Sequence, residues 1–427
     1  MSGLALLGGD SYIGEHSFKR YNSIGEEEKQ AVVEVMEGGV LSQFLGCWHD
    51  DFYGGPKVRQ FEQDCEQYFD VKRAVTVNSW TSGLICALGA IGLEPGDEVI
   101  VPTWTMCASA TAILHWNAIP VFADIDPYTF NLDPESVRKN ISPKTKAIMS
   151  VDIFGLSADM QALRAIADEH QLKIVSDSAQ APGGKYDGQY AGTLADIGGF
   201  SLNYHKHIHT GEGGVLVTQD DELAEKMCLI RNHAEAVVEA KGCDDLANMV
   251  GYNFRMGELE AAIGIEQLKK LDVLVERRRQ LAQQLTQGLQ GLSGLQLPAR
   301  ESESEHSFYV YPMVLAVDEL MIPRSKIVSA LAAEGVDFVA QGYQNVHLQP
   351  MYQQKIAFGR QGFPWSAEFC QREVDYSKGI CPVAETLHDH SFIYIPMCLY
   401  DFTDQDIELI VGAFNKVWAA LDQLRDK

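Results

Sequence analysis

A regular alternation of short apolar runs and helix-length segments constrains the fold more than any other feature of this sequence. Runs rich in Val, Ile and Phe recur between residues 70 and 220, from 74–78 to 213–218. Helix-length segments separate most of them, and strands joined by helices form βαβ units with a mostly parallel sheet. Such sheets are covered on both faces, which agrees with the nearly continuous apolar character of the runs. The sequence therefore predicts an α/β fold.

A change in composition after residue 220 predicts a second, smaller domain. Segment 256–290 is predicted as one long helix, and 291–305, rich in Ser, Gly and Pro, is predicted as a linker. Two strands and two helices follow the linker, in an α+β arrangement. We therefore expect an irregular N-terminal lead and a large domain with its connecting helix over 1–290, and a small α+β domain over 291–427.

The charge balance excludes several classes of partner. Lys and Arg number 34 against 59 Asp and Glu, so the net charge is −25. Nucleic acids and anionic membranes favour basic surfaces, so neither is expected as a partner. No run is long enough for a membrane span, no signal peptide is evident, and the nine cysteines form no CxxC pair. These features favour a cytoplasmic protein without a disulfide framework or a metal site.

Polar groups stand where two of the predicted strands end. Segment 78–83 (NSWTSG) opens an apolar helix, and its hydroxyls and free backbone N–H groups could hold an anion or merely cap the helix. Asp177 ends the strand 173–177. A carboxylate there could keep a proton on a ring nitrogen, or could be an ordinary N-cap. The carboxyl edge of an open α/β sheet is where ligands bind.

A lysine lies between a predicted strand and a glycine-rich turn. Lys206 follows Asp177 by about thirty residues and precedes the turn 211–214 (GEGG). A desolvated lysine with cationic neighbours loses its proton and can form a Schiff base, whereas a lone loop lysine is usually only solvated. Segment 251–256 is a further polar turn before a helix, which could hold an anion or act as a cap.

Taken together, these motifs resemble the DegT/DnrJ/EryC1/StrS family of pyridoxal-phosphate sugar aminotransferases. The resemblance runs from about residue 21 to residue 417, nearly the whole chain. It implies the aspartate aminotransferase-like fold (fold type I), with a large mostly parallel-sheet domain and a smaller α+β C-terminal domain. The matching points are 55–58 with 61–62, 78–84, 177–180, 201 with 206 and 211–214, 252–264, 347–352 and 381–382.

The resemblance assigns roles to individual residues. Lys206 would carry pyridoxal 5'-phosphate as a Schiff base and move a proton between the substrate carbon and the cofactor. Asp177 would keep the pyridinium nitrogen protonated, and Gln180 would hydrogen-bond the ring's phenolate oxygen. The phosphate would be bound by Thr81, Ser82 and Ser201.

Two further implications concern the ring face and the partner subunit. Asn253 would reach the phosphate bound by the partner subunit, so the functional unit would be a homodimer with shared sites. Family members usually place an aromatic residue over the ring at the position that Met106 occupies here. We expect Met106 to cover the ring, with Trp104 as the alternative. Extra length at the N-terminus and in 355–379 could shape the sugar pocket.

The lysine also decides between two chemistries. Some relatives replace it with histidine and dehydrate a sugar, and this sequence has His205, His207 and His209 close by. The family lysine falls five residues before the first glycine of 211–214, which is Lys206, so the aminotransferase is favoured over the dehydratase. A zinc site would need more ligands than the three histidines. A protonated His205 or His207 would lower the pKa of Lys206, or these residues simply line the pocket.

The resemblance also limits the substrates. It implies transfer of an amino group from an amino acid, with L-glutamate expected, to a keto- or aldehyde-sugar. The segment 47–53 is similar to transaminases that make an 8-amino-3,8-dideoxy-octulosonate for lipopolysaccharide, which suggests the 8-oxo sugar acid as acceptor. A nucleotide-linked 4-keto or 3-keto sugar is the alternative, and its diphosphate would need cations such as Arg231 or Arg255.

Overall fold

A seven-stranded sheet forms the centre of the molecule. The computed structural model describes residues 3–299 and 303–425. The strand order is β1-β9-β8-β5-β4-β2-β3, and all neighbours are parallel except β9, which runs antiparallel to β1 and β8. The sequence-predicted mostly parallel sheet is therefore confirmed. The strands are β1 (Arg73–Val77), β2 (Glu98–Pro102), β3 (Ile119–Ala123), β4 (Thr145–Val151), β5 (Lys173–Asp177), β8 (Ile197–Ser201) and β9 (Gly214–Thr218).

Helices cover both faces of this sheet. Along β2, Val99 and Val101 pack into one hydrophobic cluster while Ile100 packs into another on the opposite face. Strands buried on both faces explain why their sequences are apolar at almost every position. The helices of this region are α1 (Glu26–Gly38), α2 (Pro56–Phe69), α3 (Trp80–Ala90), α4 (Cys107–His115), α5 (Pro134–Asn140), α6 (Met160–His170), α7 (Asp221–Arg231), α8 (Val238–Lys241), α9 (Glu258–Leu268) and α10 (Leu271–Leu289).

The C-terminal region has its own antiparallel sheet, with the order β10-β12-β14-β13. It packs with helices into a separate hydrophobic cluster, which confirms the smaller α+β part of the predicted fold class. Its strands are β10 (Leu295–Gln296), β12 (Tyr311–Leu315), β13 (Ala340–Gln341) and β14 (Phe392–Ile395). Its helices are α11 (Val317–Leu320), α12 (Arg324–Ala333), α13 (Pro350–Gln354), α14 (Pro382–Thr386), α15 (Asp404–Trp418) and α16 (Asp422–Arg425).

Two features differ from the local sequence patterns. The segment 256–290, predicted as one helix, is divided into α9 and α10, and Lys270 N bonds Gln267 O at 3.0 Å in the turn between them. The N-terminal lead is irregular, but Leu4 and Ile13 are buried in the C-terminal hydrophobic cluster. Apolar side chains of the lead and of the C-terminal region thus share one core.

The extra segment 355–379 packs beside the central sheet. The hydroxyl of Tyr376 donates to Pro120 O at 2.7 Å, and Arg372 forms an ion pair with buried Glu98 at 3.0 Å. A three-stranded sheet of β11 (Ser304–Glu305), β6 (Lys185–Tyr186) and β7 (Gln189–Tyr190) lies elsewhere on the surface. Across 3–299 and 303–425, none of the helices combines the length and the apolar character that crossing a bilayer requires.

Candidate active site

A cavity of about 200 Å³ lies at the carboxyl edge of the central sheet. The ends of β1, β2, β4, β5 and β8 meet at this edge, so residues far apart in sequence converge there. Six of the eight predicted site residues line the cavity, namely Thr81, Met106, Asp177, Gln180, Ser201 and Lys206. The other lining residues are Ser79, Trp80, Thr105, Ala108, Val151, Ala179, Asn203, His205 and Glu212.

Asp177 is the last residue of β5, and its carboxylate is held on both oxygens. Trp80 Nε1 donates to Oδ1 at 2.7 Å, and Ser109 Oγ donates to Oδ2 at 2.6 Å. The side chain is almost fully buried, so an ionised carboxylate here requires such partners. The fixed carboxylate is suited to pair with a protonated ring nitrogen.

Lys206 lies in the connection between β8 and β9 and is only 6% exposed. Its backbone N donates to Asn203 O at 3.0 Å, and its Nζ lies 4.5 Å from the centroid of the Tyr309 ring. Burial lowers the pKa of the Lys206 amine to about 8, and the opposing attraction of Asp177 is the smaller effect. A useful fraction of this amine is therefore neutral, and nucleophilic, near physiological pH.

The predicted phosphate ligands are divided by the structure. Thr81 and Ser201 line the cavity, at the start of α3 and at the end of β8. Ser82 does not, because its hydroxyl donates to Asn78 Oδ1 at 2.8 Å while its backbone N bonds the N-cap residue Ser79. The helix-capping interpretation thus accounts for the contacts of Ser82, whereas Thr81 and the first turn of α3 remain directed at the cavity.

Met106 and Trp104 have different surroundings. Met106 lines the cavity and is 59% exposed, immediately before α4. Trp104 is fully buried, donates from Nε1 to Asn345 Oδ1 at 2.9 Å and packs edge-on against Phe392. Of the two, Met106 is the side chain with access to a ring bound in the cavity.

Gln180 and Asn253 also differ in placement. Gln180 lines the cavity, where its Oε1 accepts from Phe154 N at 2.9 Å and its Nε2 donates to Tyr343 OH at 3.1 Å. Asn253 lies outside the cavity on an exposed part of the chain, and its side chain accepts from Arg255 Nε at 2.7 Å. Asn253 therefore does not line the cavity of its own chain, although its carbonyl accepts from Asn78 Nδ2 at 3.5 Å.

The three alternating histidines face different surroundings. Only His205 lines the cavity, where burial and nearby Lys206 lower its pKa to about 4. His207 is buried, bonds Ser307 O at 2.9 Å and has a pKa far below its ordinary value because of burial. Both rings are thus neutral, so burial rather than a protonated histidine depresses the pKa of Lys206. No group of three metal-ligating side chains occurs within the described ranges.

Several residues of the site gave no recognisable signal in the sequence. Trp80 stands inside the predicted anion-binding turn but bonds Asp177, and Ser109 comes from the body of α4. Tyr309 reaches Lys206 from the chain that leads into β12. The hydroxyl of buried Thr105 is hydrogen-bonded to the hydroxyl of Ser109, with 2.6 Å between the two oxygen atoms. The contacts of Trp80, Ser109 and Tyr309 with Asp177 or Lys206 span large sequence separations, so local sequence patterns do not reveal them.

The lining residues fit pyridoxal 5'-phosphate. A buried amine with a lowered pKa, a fixed carboxylate and a helix start flanked by hydroxyls are the groups needed for its aldehyde, ring nitrogen and phosphate. In addition, Asn203 Oδ1 is a buried acceptor without a partner, in a side chain whose Nδ2 donates to Glu212 at 2.9 Å. An unpartnered polar atom at the cavity wall is consistent with a bound polar group.

Comparisons with known proteins agree with this chemistry. Residues 22–389 match the model of the DegT/DnrJ/EryC1/StrS aminotransferase family. The chain is 36% identical to the spore coat polysaccharide biosynthesis protein SpsC of Bacillus subtilis, over 82% of this chain and 88% of that protein. It is also 36% identical to the GDP-perosamine synthase of Caulobacter vibrioides, over 74% of this chain and 85% of that protein.

A solved structure extends the likeness to the fold. The aminotransferase from Psychrobacter cryohalolentis superposes with a TM-score of 0.79 at 27% identity, covering 95% of this chain and all of that one. The family match spans most of the chain and includes every lining residue of the cavity. The chain therefore belongs to the DegT/DnrJ/EryC1/StrS aminotransferase family and is a pyridoxal-phosphate-dependent aminotransferase.

Proposed function

We propose that this protein transfers an amino group from L-glutamate to the carbonyl carbon of a keto- or aldehyde-sugar. The observation that carries the proposal is the pair of Lys206 and Asp177 in one buried cavity, with the pKa of the lysine lowered to about 8. When bound, pyridoxal 5'-phosphate supplies an electron-accepting ring that stabilises negative charge on the substrate carbon. The similarity to a polysaccharide biosynthesis protein and a GDP-perosamine synthase supports a sugar acceptor.

We assign the chain's own groups as follows. Lys206 holds the cofactor aldehyde and afterwards moves a proton to and from the substrate carbon, because its amine is neutral often enough to accept one. Asp177 binds the ring nitrogen, and Gln180 offers an amide to the ring oxygen. Thr81 and Ser201 bind the phosphate together with the N–H groups at the start of α3, and Ser82 supports this turn through Asn78. Met106 covers the exposed ring face.

A second pocket offers a place for the acceptor. It has a volume of about 360 Å³, and it shares Thr105 and Met106 with the cofactor cavity. Within the described residues its lining carries no charged side chain, and its polar side chains are mostly amides and phenols, together with the Thr105 hydroxyl and the Cys107 thiol. Such groups both donate and accept, as sugar hydroxyls do. They include Gln341, Gln344, Gln349, Tyr343 and Tyr394.

The acceptor and donor are tested together. The enzyme is incubated with glutamate and each of several keto-sugars, and 2-oxoglutarate is measured. Two acceptors are most informative. The segment 47–53 suggests 8-oxo-3,8-dideoxy-octulosonate, and the similarity to GDP-perosamine synthase favours a nucleotide-linked 4-keto sugar. Turnover of a sugar without any amino donor would instead indicate a dehydratase.

The role of Lys206 is tested by trapping the cofactor covalently. Borohydride reduction of the wild-type protein with pyridoxal 5'-phosphate should attach it to the peptide that contains Lys206, as read by mass spectrometry. Lys206→Ala should retain no such label, whereas Lys173→Ala, which removes an exposed lysine at the opposite end of β5, should retain it. Equal labelling of the Lys206→Ala protein would refute the assignment.

We further propose that two copies form a homodimer with shared sites. Apolar side chains are exposed on α1, on the segment that follows α1 and on the segment that precedes α9. Glu258 N, at the start of α9, bonds Leu41 O at 3.0 Å. Exposed apolar patches of this kind mark interaction surfaces, and Asn253 is exposed in the same region. The side chains are Val33, Met36, Val40, Leu41, Leu45, Leu246 and Val250.

Complementation tests the shared site. Lys206→Ala and Asn253→Ala proteins, each inactive or impaired alone, are mixed, dissociated and reassociated. If Asn253 acts on the partner's cofactor, the mixed dimer has one site with both residues intact, and part of the activity should return. A monomer in light scattering, or no recovery in verified mixed dimers, would contradict the proposal.

A further inference from the structure

Two hydrogen-bond donors from different helices hold the carboxylate of Asp177. The indole N–H of Trp80, the first residue of α3, donates to Oδ1 at 2.7 Å. The hydroxyl of Ser109, in α4, donates to Oδ2 at 2.6 Å. We infer that Trp80 and Ser109 are positioning residues that keep Asp177 ionised, so that the proton it shares with the cofactor stays on the ring nitrogen. This inference rests on the proposed role of Asp177.

The indole of Trp80 packs into a space that three glycines, each on a different element, leave free. A Cβ on Gly199 of β8 would lie 2.6 Å from the indole Cη2, and one on Gly83 of α3 would lie 2.8 Å from Cε3. A Cβ on Gly214 of β9 would lie 3.0 Å from the Trp80 backbone. Side chains at these positions would displace the ring, since contacts this short are repulsive. Trp80 itself is 6% exposed, so its direction towards Asp177 is set by packing.

The hydroxyl of Ser109 donates its hydrogen bond to Asp177 when that carboxylate is ionised. An ionised carboxylate only accepts hydrogen bonds, so the Ser109 proton points to Asp177. The hydroxyl of Thr105, 2.6 Å from Ser109 Oγ, must then donate to Ser109. Thr105 and Ser109 are both almost completely buried, so water does not compete with this chain of donors. Aligned hydrogen bonds of this kind strengthen one another.

Trp80 and Ser109 influence where the proton between the ring nitrogen and Asp177 resides. A ring nitrogen and a carboxylate that share a proton exist as N–H⁺ with COO⁻ or as N with COOH. Donors bind a charged carboxylate more strongly than a neutral carboxyl group, so they favour the first form. Oδ1 of Asp177 also accepts a longer bond from Ala179 N at 3.3 Å, whereas Oδ2 accepts only from Ser109 among the described residues and keeps a lone pair for the ring N–H. A protonated ring withdraws electrons more strongly, so Trp80 and Ser109 would assist the removal of a proton from the substrate carbon without touching the substrate.

The test reads the proton directly. Pyridoxal 5'-phosphate labelled with ¹⁵N in the ring is bound to the full-length protein, and its ¹⁵N chemical shift is measured at full occupancy. Trp80→Phe keeps an aromatic ring in the space beside the three glycines but removes the N–H, and Ser109→Ala removes one oxygen atom. Each change should lower the ratio of ionic to neutral pair by roughly tenfold, as expected for one hydrogen bond to a charged group. The double variant should show the largest displacement towards the unprotonated shift.

Two reference proteins calibrate the result. Trp116→Phe also removes an indole donor, but the indole N–H of Trp116 donates to Ile85 O at 2.9 Å and not to Asp177. This variant should leave the ¹⁵N shift unchanged. Asp177→Asn should give the shift of an unprotonated ring. Wild-type shifts in both the Trp80→Phe and the Ser109→Ala proteins would overturn the inference while leaving the proposed function standing. Failure of the wild-type protein to bind the labelled cofactor would overturn both.

Discussion

The catalytic amine should lower the stability of the protein that carries it. Burial lowers the pKa of Lys206 from 10.5 to about 8, and the side chain is 6% exposed. At 1.36 kcal/mol per pKa unit, this difference corresponds to about 3 kcal/mol. A lysine whose pKa is lower in the folded than in the unfolded chain destabilises the fold while it is protonated. The cost is fully present below about pH 8 and disappears as the pH rises towards 10.5.

Replacing this lysine with methionine should therefore stabilise the protein. Lys206→Met keeps the length of the side chain and removes the charge. We expect the free energy of unfolding of the cofactor-free protein to rise by about 3 kcal/mol at pH 7 and by only about 1 kcal/mol at pH 10, because the unfolded lysine is then partly neutral. Urea unfolding followed by circular dichroism at both pH values measures the two differences.

The control separates burial from the loss of a positive charge. Lys146→Met removes an exposed lysine from β4, so it should give no gain that depends on pH in this way. A gain for Lys206→Met that is equal at pH 7 and pH 10 would refute the reasoning. So would a loss of stability at both pH values, since the cost would then not come from the buried ammonium.

Three further predictions follow from single contacts. Asp177→Asn should lower the pKa of Lys206 further, since the carboxylate attracts its proton; the pH dependence of borohydride trapping in the two proteins measures this. Gly199→Ala should reduce both the thermal stability of the protein and its affinity for the cofactor, because the new Cβ would lie 2.1 Å from a carbonyl oxygen of β9. Gly38→Ala is the control, since a Cβ there would meet open space and should leave the unfolding temperature nearly unchanged. Glu62→Ala should lower the free energy of unfolding, measured in urea, by about 3–5 kcal/mol. Arg231 is fully buried and forms an ion pair with Glu62 at 2.6 Å, so the substitution leaves its charge without a counter-ion. A decrease below about 1 kcal/mol would show that this pair is unimportant.

The order of elements could be predicted from the sequence because it depends on neighbours along the chain. A strand buried on both faces must be apolar throughout, and a helix of suitable length must return the chain to the same edge. Asp177 and the segment that follows β1 therefore fall at one edge whatever the details of packing. The place of Lys206 between a strand and a glycine-rich turn made it a candidate, and the resemblance to the family assigned its role.

Other parts of the fold could not be predicted in this way. The lead gave no periodic pattern, yet Leu4 and Ile13 complete a core formed by the opposite end of the chain. The helix predicted over 256–290 is divided, although its apolar spacing continues across the turn. Both places have contacts with residues distant in sequence, such as the ion pair of Lys270 with Glu28 at 2.6 Å beside the turn, and local periodicity is insensitive to such contacts.

The sequence by itself determined that Asp177 and the segment after β1 stand at strand ends on one edge of the sheet, and the tertiary structure decided which side chains line the cavity and what each of them does there. Ser82 and Thr81 are adjacent in one motif, but only Thr81 lines the cavity. Trp80, between residues predicted to bind an anion, instead bonds Asp177, which lies 97 positions later. Burial, which depends on the whole packed core, sets the pKa of Lys206. Spacing along a chain specifies which strand end a residue occupies, whereas side-chain direction and solvent exclusion depend on everything packed around it.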